Sequence, residues 1–108
     1  MTALRGKAVL VTGAASGLGQ ASARAALAAG ARVYLSDIDE LQLRKAWDAE
    51  SGAGQVYLHP ADVSQPVAGG ELVAGIVNRF ARIDGLVNAA GISDTRRFLD
   101  IEPGQLAQ

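Results

Sequence analysis

The stretch Thr12-Gly13-Ala14-Ala15-Ser16-Gly17-Leu18-Gly19 constrains this chain more than any other. It follows the apolar run Ala8-Val9-Leu10-Val11 and precedes an alanine-rich run. Apolar runs without alternation suit a parallel strand buried on both faces. The glycines therefore join a buried strand to a helix, expected over about residues 17–29 and stopped by Gly30. Such a turn gathers unpaired helix N–H groups at the positive end of the helix dipole. That is an anion site. Glycine accepts positive φ in a tight turn, and it lets a phosphate approach backbone that a Cβ would shield. A tight β–α turn that needs glycine for geometry alone is the competing reading. The spacing Gly13-x-x-x-Gly17-x-Gly19 also departs from the G-x-G-x-x-G fingerprint of many dinucleotide folds.

The rest of the chain alternates in the same way. Residues 31–37 read as a second strand ending in a carboxylate. Asp39 can cap a second helix, with Gln42 completing a capping box. That helix is expected to bury Leu43, Ala46 and Trp47 and to end near Gly52. Residues 55–58 form a short third strand. Pro66 opens a third helix, whose buried stripe is Leu72, Val73, Ile76, Val77 and Phe80. Gly69, Gly70 and Gly75 weaken that helix by up to about 1 kcal/mol each. Residues 83–88 are the fourth strand. Beyond Ser93 the chain is polar and carries Arg96 and Arg97, then Phe98, Leu99 and Ile101, and Pro103 suits the first turn of another helix. A β-α-β-α-β-α-β order implies a parallel sheet with right-handed crossovers.

Size and composition narrow the function classes. At 108 residues the chain is one domain's worth, able to bury about two-thirds of its unfolded surface. Its 49% hydrophobic and 19% charged residues are those of a soluble globular protein. A net charge of −1 argues against nucleic acid or an anionic membrane as the main partner. Without cysteine there is neither a disulfide framework nor thiolate chemistry. The first apolar run is short and ends in a glycine turn, not a cleavage site, and no 18-residue apolar stretch follows. We therefore expect no signal peptide and no membrane span, with the cytoplasm as the default location.

Asp37 is the second clue, at the end of the second strand and eighteen residues beyond Gly19. In dinucleotide folds an acidic residue here accepts hydrogen bonds from the adenosine ribose hydroxyls. A solvated loop carboxylate or a helix cap is the alternative. A 2′-phosphate beside Asp37 would be repelled by on the order of 4 kcal/mol, nearly three decades of affinity. Arg44 and Lys45 lie on the next helix, not beside Asp37. NAD is favoured over NADP.

With these residues in view, the chain resembles the N-terminal part of a short-chain dehydrogenase/reductase. Residues 12–19 match the TGxxxGxG form of the family's main subgroup. Asp62-Val63 follows the third strand. The resemblance implies that Asp62 contacts the adenine amino group and that Val63 packs on the ring. Asn88-Ala89-Ala90-Gly91 follows the fourth strand and is similar to the family's NNAG, with Ala89 a familiar variant. The resemblance implies that Asn88 braces the central sheet and that the backbone at Ala90 and Gly91 lines the cofactor. The cofactor-binding set is then Gly13, Ser16, Gly17, Leu18, Gly19, Asp37, Asp62, Val63, Asn88, Ala90 and Gly91. The implied fold is a Rossmann-type doubly wound α/β parallel sheet, order 3-2-1-4, truncated after strand 4. It forms a single, partial dinucleotide-binding domain over residues 1–108. Ligands in such a sheet lie where the strand order reverses, between strands 1 and 4. Both the glycine turn and the Asn88 motif leave strands there.

The family's reaction is hydride transfer between nicotinamide and an alcohol or carbonyl carbon, and it needs a general acid/base. The family uses the tyrosine of Tyr-x-x-x-Lys, a serine and an asparagine. Here Tyr34 is followed four residues on by Ile38, and Tyr57 by Ala61, so neither matches. Ser16, Ser93 and Asp94 are not the family's serine, His59 reads as structural, and no cluster has metal-ligand spacing. We expect the chain to bind NAD(H) without turnover, as the N-terminal half of a homo-oligomeric enzyme acting on a small alcohol or ketone. The alternatives are a non-catalytic dinucleotide-binding module that pairs through the open edge of strand 4, and a methyltransferase.

Overall fold

The run Ala8–Thr12 (β1) is buried at every residue, which only a central strand permits. The computed structural model describes residues 3–52 and 54–90. Along them follow α1 (Gly17–Ala28), β2 (Arg32–Ser36), α2 (Glu40–Trp47), β3 (Val56–Leu58), α3 (Ala68–Phe80) and β4 (Gly85–Asn88). The strands form one parallel sheet in the order β3-β2-β1-β4, as the sequence predicts. Val11 is flanked by Leu35 on one side and Val87 on the other.

The period of two along each strand divides the core between the sheet's faces. Val9, Val11, Val33 and Leu35 pack with Ala23 of α1 and with Leu43 and Trp47 of α2. On the other face Ala8, Leu10 and Tyr34 pack with Leu72, Ile76 and Phe80 of α3. This two-sided cover explains why the strand runs show no polar alternation.

The helices depart from the sequence reading at their edges. α2 stops at Trp47 rather than near Gly52, and beyond it the N–H groups of Glu50 and Ser51 both converge on the Trp47 carbonyl. Asp39 does cap α2, its carboxylate accepting from Gln42 N–H at 3.0 Å. The return arm of the capping box is missing: Asp39 N–H donates to Asp37 Oδ1 at 2.9 Å. In α3 the buried row is Ala68, Leu72, Ile76 and Phe80, strictly four apart. Val73 and Val77 are 43% and 44% exposed, because the sheet meets only that one row and no described element covers their flank. Pro66 precedes the first turn of α3 instead of lying in it.

Gly75 is not a weak point. A Cβ there would collide with the Tyr34 hydroxyl, so glycine is what lets α3 settle on β2. Tyr34 in turn meets His59 Nδ1 at 2.5 Å, which gives the lone histidine its structural role. β4 is anchored before it begins. Asp84 N–H donates to Ala8 O, and Asp84 Oδ2 accepts from Ala8 N–H, both at 2.8 Å.

Candidate functional site

The three glycines of the turn have three different surroundings. Gly13 has φ +71°, and a Cβ on it would lie 2.5 Å from Ala90 N and 2.8 Å from Ala89 C. Glycine there lets β1 and the exit of β4 pass in contact. A Cβ on Gly19 would run into the Gly13 carbonyl, so Gly19 lets α1 sit close to the end of β1. Gly17 has φ +56° and nothing within 4 Å of its Cβ position. Only Gly17 opens onto free space.

Ser16 is the N-cap of α1 by backbone geometry, yet its hydroxyl makes no capping hydrogen bond. The first helical bond runs from Gln20 N–H to Ser16 O at 3.3 Å. No acidic side chain stands in the first turn. The dipole end of α1 therefore carries no carboxylate of its own.

The remaining lining comes from the ends of β2, β3 and β4. Asp37 Oδ2 accepts from Ala15 N–H at 3.0 Å, so its carboxylate holds the glycine turn as well as the entry to α2. Asp62 Oδ1 accepts from the Ser64 hydroxyl at 2.6 Å and the Ser64 N–H at 3.0 Å. The Ser64 side-chain hydrogen bond, then its backbone one, holds the Asp62 carboxyl below the usual carboxylate range. Asn88 is set back: its Oδ1 accepts from the Thr12 hydroxyl at 2.8 Å, tying β4 to β1.

These segments bound one cleft with a volume of about 510 Å³. Gly13, Ser16, Gly17, Leu18 and Gly19 form one wall, and Asp37, Asp62, Val63 and Ala90 also line it. Asn88 does not line it, and Gly91 lies outside the described residues. Sequence reasoning missed Ser36, Ile38, Ala61, Ser64 and Ala89, each a neighbour of a residue it named. Ser36 is notable because its hydroxyl is fully buried and has no partner among the described residues. Leu18, Ile38 and Val63 leave apolar surface exposed around the cleft.

A parallel sheet in the order 3-2-1-4, with a glycine turn at its switch point and carboxylates after β2 and β3 lining the same cleft, defines a Rossmann-type unit. The family profile described as short chain dehydrogenase matches residues 7–108. This chain belongs to the short-chain dehydrogenase/reductase family. It is 45% identical over 96 residues to a short chain dehydrogenase/reductase of Macrophomina phaseolina, a match covering 86% of this chain and 54% of that protein. A short-chain dehydrogenase/reductase of Burkholderia phymatum, solved in complex with NAD, is similar at a TM-score of 0.72 and 31% identity. That match covers 80% of this chain and 31% of the other. The C-domain of a bacterial malonyl-CoA reductase, solved with NADP, is similar at a TM-score of 0.77 and 28% identity, over 84% of this chain and 16% of that one. The chain thus spans about half the length, or less, of the relatives it matches.

Proposed function

We propose that this chain is the NAD(H)-binding part of an oxidoreductase that moves hydride between nicotinamide and the alcohol or carbonyl carbon of a small substrate. One observation carries the reading: the open Gly17, the uncapped start of α1 and the Asp37 carboxylate share a single cleft. The residues fit a dinucleotide. Gly17 offers backbone that no Cβ shields, and the buried hydroxyl of Ser36, which also lines the cleft, lacks a protein partner among the described residues.

In this reading the N–H groups of Gly17, Leu18 and Gly19 meet the pyrophosphate. Asp37 takes the ribose hydroxyls, and its charge opposes a 2′-phosphate. Asp62 and Val63 meet the adenine, and the backbone at Ala90 and Gly91 borders the nicotinamide side. The bound cofactor supplies the hydride chemistry. Neither tyrosine lines the cleft: Tyr57 stands on β3, and Tyr34 is buried against α3, where burial, then the neighbouring Tyr57, raises its pKa. Binding without turnover is therefore the expected behaviour of these residues.

Calorimetric titration with NADH and NADPH tests the assignment. We expect NADH to bind at least about tenfold more tightly, a difference of about 1.4 kcal/mol, and Asp37→Ala to narrow that ratio. An unchanged ratio would remove Asp37 from the site. Binding of S-adenosylmethionine in place of NADH would overturn the whole reading.

A further inference from the structure

The indole of Trp47 is fully buried at the last residue of α2, yet its N–H serves neither α2 nor the core. Nε1 donates to the carbonyl of Ala14 at 2.9 Å, inside the glycine turn. Ala14 is itself fully buried, and its N–H donates to Ser36 O at 2.9 Å. Ala15 N–H donates to Asp37 Oδ2 at 3.0 Å. The polar backbone groups of the turn's first half are thus held from β2 and α2. The second half, from Ser16 onward, has no side-chain cap.

We propose that Trp47 is a positioning residue for the dinucleotide site, holding the Ala14 carbonyl so that α1 starts in the shape that binds pyrophosphate. The proposal rests on the NAD(H) reading given above. Arg24 of α1 completes the arrangement. Its guanidinium lies 4.1 Å from the Trp47 ring centroid and donates to Ala46 O at 2.6 Å. The indole of α2 is therefore held by the body of α1 while it holds the entry to that same helix. Removing its N–H leaves a buried carbonyl without a donor, and the turn gains by moving to find one. Only the fraction of molecules still in the original shape then binds ligand, and the apparent Kd rises as that fraction falls.

The test compares Trp47→Phe with Leu43→Ala in the full chain. Leu43 is equally buried on the same helix, but it makes no hydrogen bond to the turn. The Kd of NADH is measured by calorimetry well below each variant's melting temperature, and that of adenosine by NMR titration. Adenosine lacks phosphate and so reports on the ribose and adenine contacts alone. We expect Trp47→Phe to weaken NADH about tenfold, with adenosine unchanged and Leu43→Ala binding as wild type. Should Trp47→Phe not fold, replacing Trp47 with 3-benzothienylalanine removes the N–H while keeping the ring volume, and the same outcome is expected. Wild-type NADH affinity in either Trp47 variant overturns the proposal. So does a parallel loss for adenosine, or an equal loss in Leu43→Ala, since both would mark a purely structural role. Failure of the wild-type chain to bind NADH would sink the NAD(H) reading first, and the role of Trp47 with it.

Discussion

A methyl group placed on Gly17 meets nothing, whereas one placed on Gly13 or Gly19 meets backbone. The three positions should therefore respond differently to alanine. At Gly17 the cost is mainly the left-handed φ, about 1–2 kcal/mol, and the larger loss should be in NADH affinity. At Gly13 the same strain adds to a clash with Ala89 and Ala90, so about 2–4 kcal/mol is expected. Urea unfolding of the two variants checks this, and a Gly17→Ala protein less stable than Gly13→Ala would contradict it. The sequence motif marks all three glycines alike. It shows where backbone must turn or come close, but not whether the thing approaching is a ligand or the chain itself. At Gly13 and Gly19 the close approach of backbone excludes a Cβ, whereas at Gly17 only the positive φ calls for glycine and the space beside it stays open.

Among the elements, α3 shows most directly how periodicity can mislead. Five apolar positions suggested a wide stripe, and the sheet used the row Leu72, Ile76 and Phe80 with Ala68. Apolar residues at helical spacing indicate which flank is oily; they do not say how much of it a neighbour reaches. The glycines of α3 divide in the same way. Gly70 has open space around its Cβ position, so Gly70→Ala should stabilise by up to about 1 kcal/mol. Gly75→Ala should destabilise by about 1–3 kcal/mol, since its methyl meets Tyr34. Thermal melts of the pair decide the matter: upward shifts in both would show that helix propensity, not packing, governs α3. The cap of α2 was legible in one direction only. Asp39 to Gln42 is a contact three residues apart, which local sequence encodes. The answering contact from Asp37 competes with the role expected for a ligand-facing carboxylate, so only the folded geometry reveals it.

For the whole molecule, the sheet's stability depends on how β4 is held to β1. Asp84 makes that connection with Ala8, and Arg82 grips its carboxylate at 2.7 Å through two nitrogens. The Arg82 hydrogen bonds, then the Ala8 N–H, lower the Asp84 carboxyl from 3.8 to about 2. A carboxyl that is more acidic folded than unfolded stabilises the fold above its unfolded value, near about 3.9. The contribution is lost as pH falls from there through about 2. Asp84→Asn should therefore melt below wild type at pH 7, and the gap should close between about pH 4 and pH 2. A gap that stays constant with pH would show that charge at Asp84 does not matter. The same joint brings Ala89 and Ala90 against Gly13, so the stability of β4 and the shape of the cleft are linked.

The sequence by itself determined the alternation of strands and helices, the 3-2-1-4 order and most of the residues around the cleft. The alternation rests on short-range signals: buried apolar runs, helical spacing, and glycine where a strand hands over to a helix; the strand order and most of the cleft residues were implied by the resemblance to the family. The tertiary structure alone decided what secures the cleft. Trp47 holds Ala14 across 33 positions, Asp37 holds Ala15 across 22, and Asp84 holds Ala8 across 76. Each of these contacts depends on two elements meeting at a set distance and angle, and no local pattern of residues encodes that meeting.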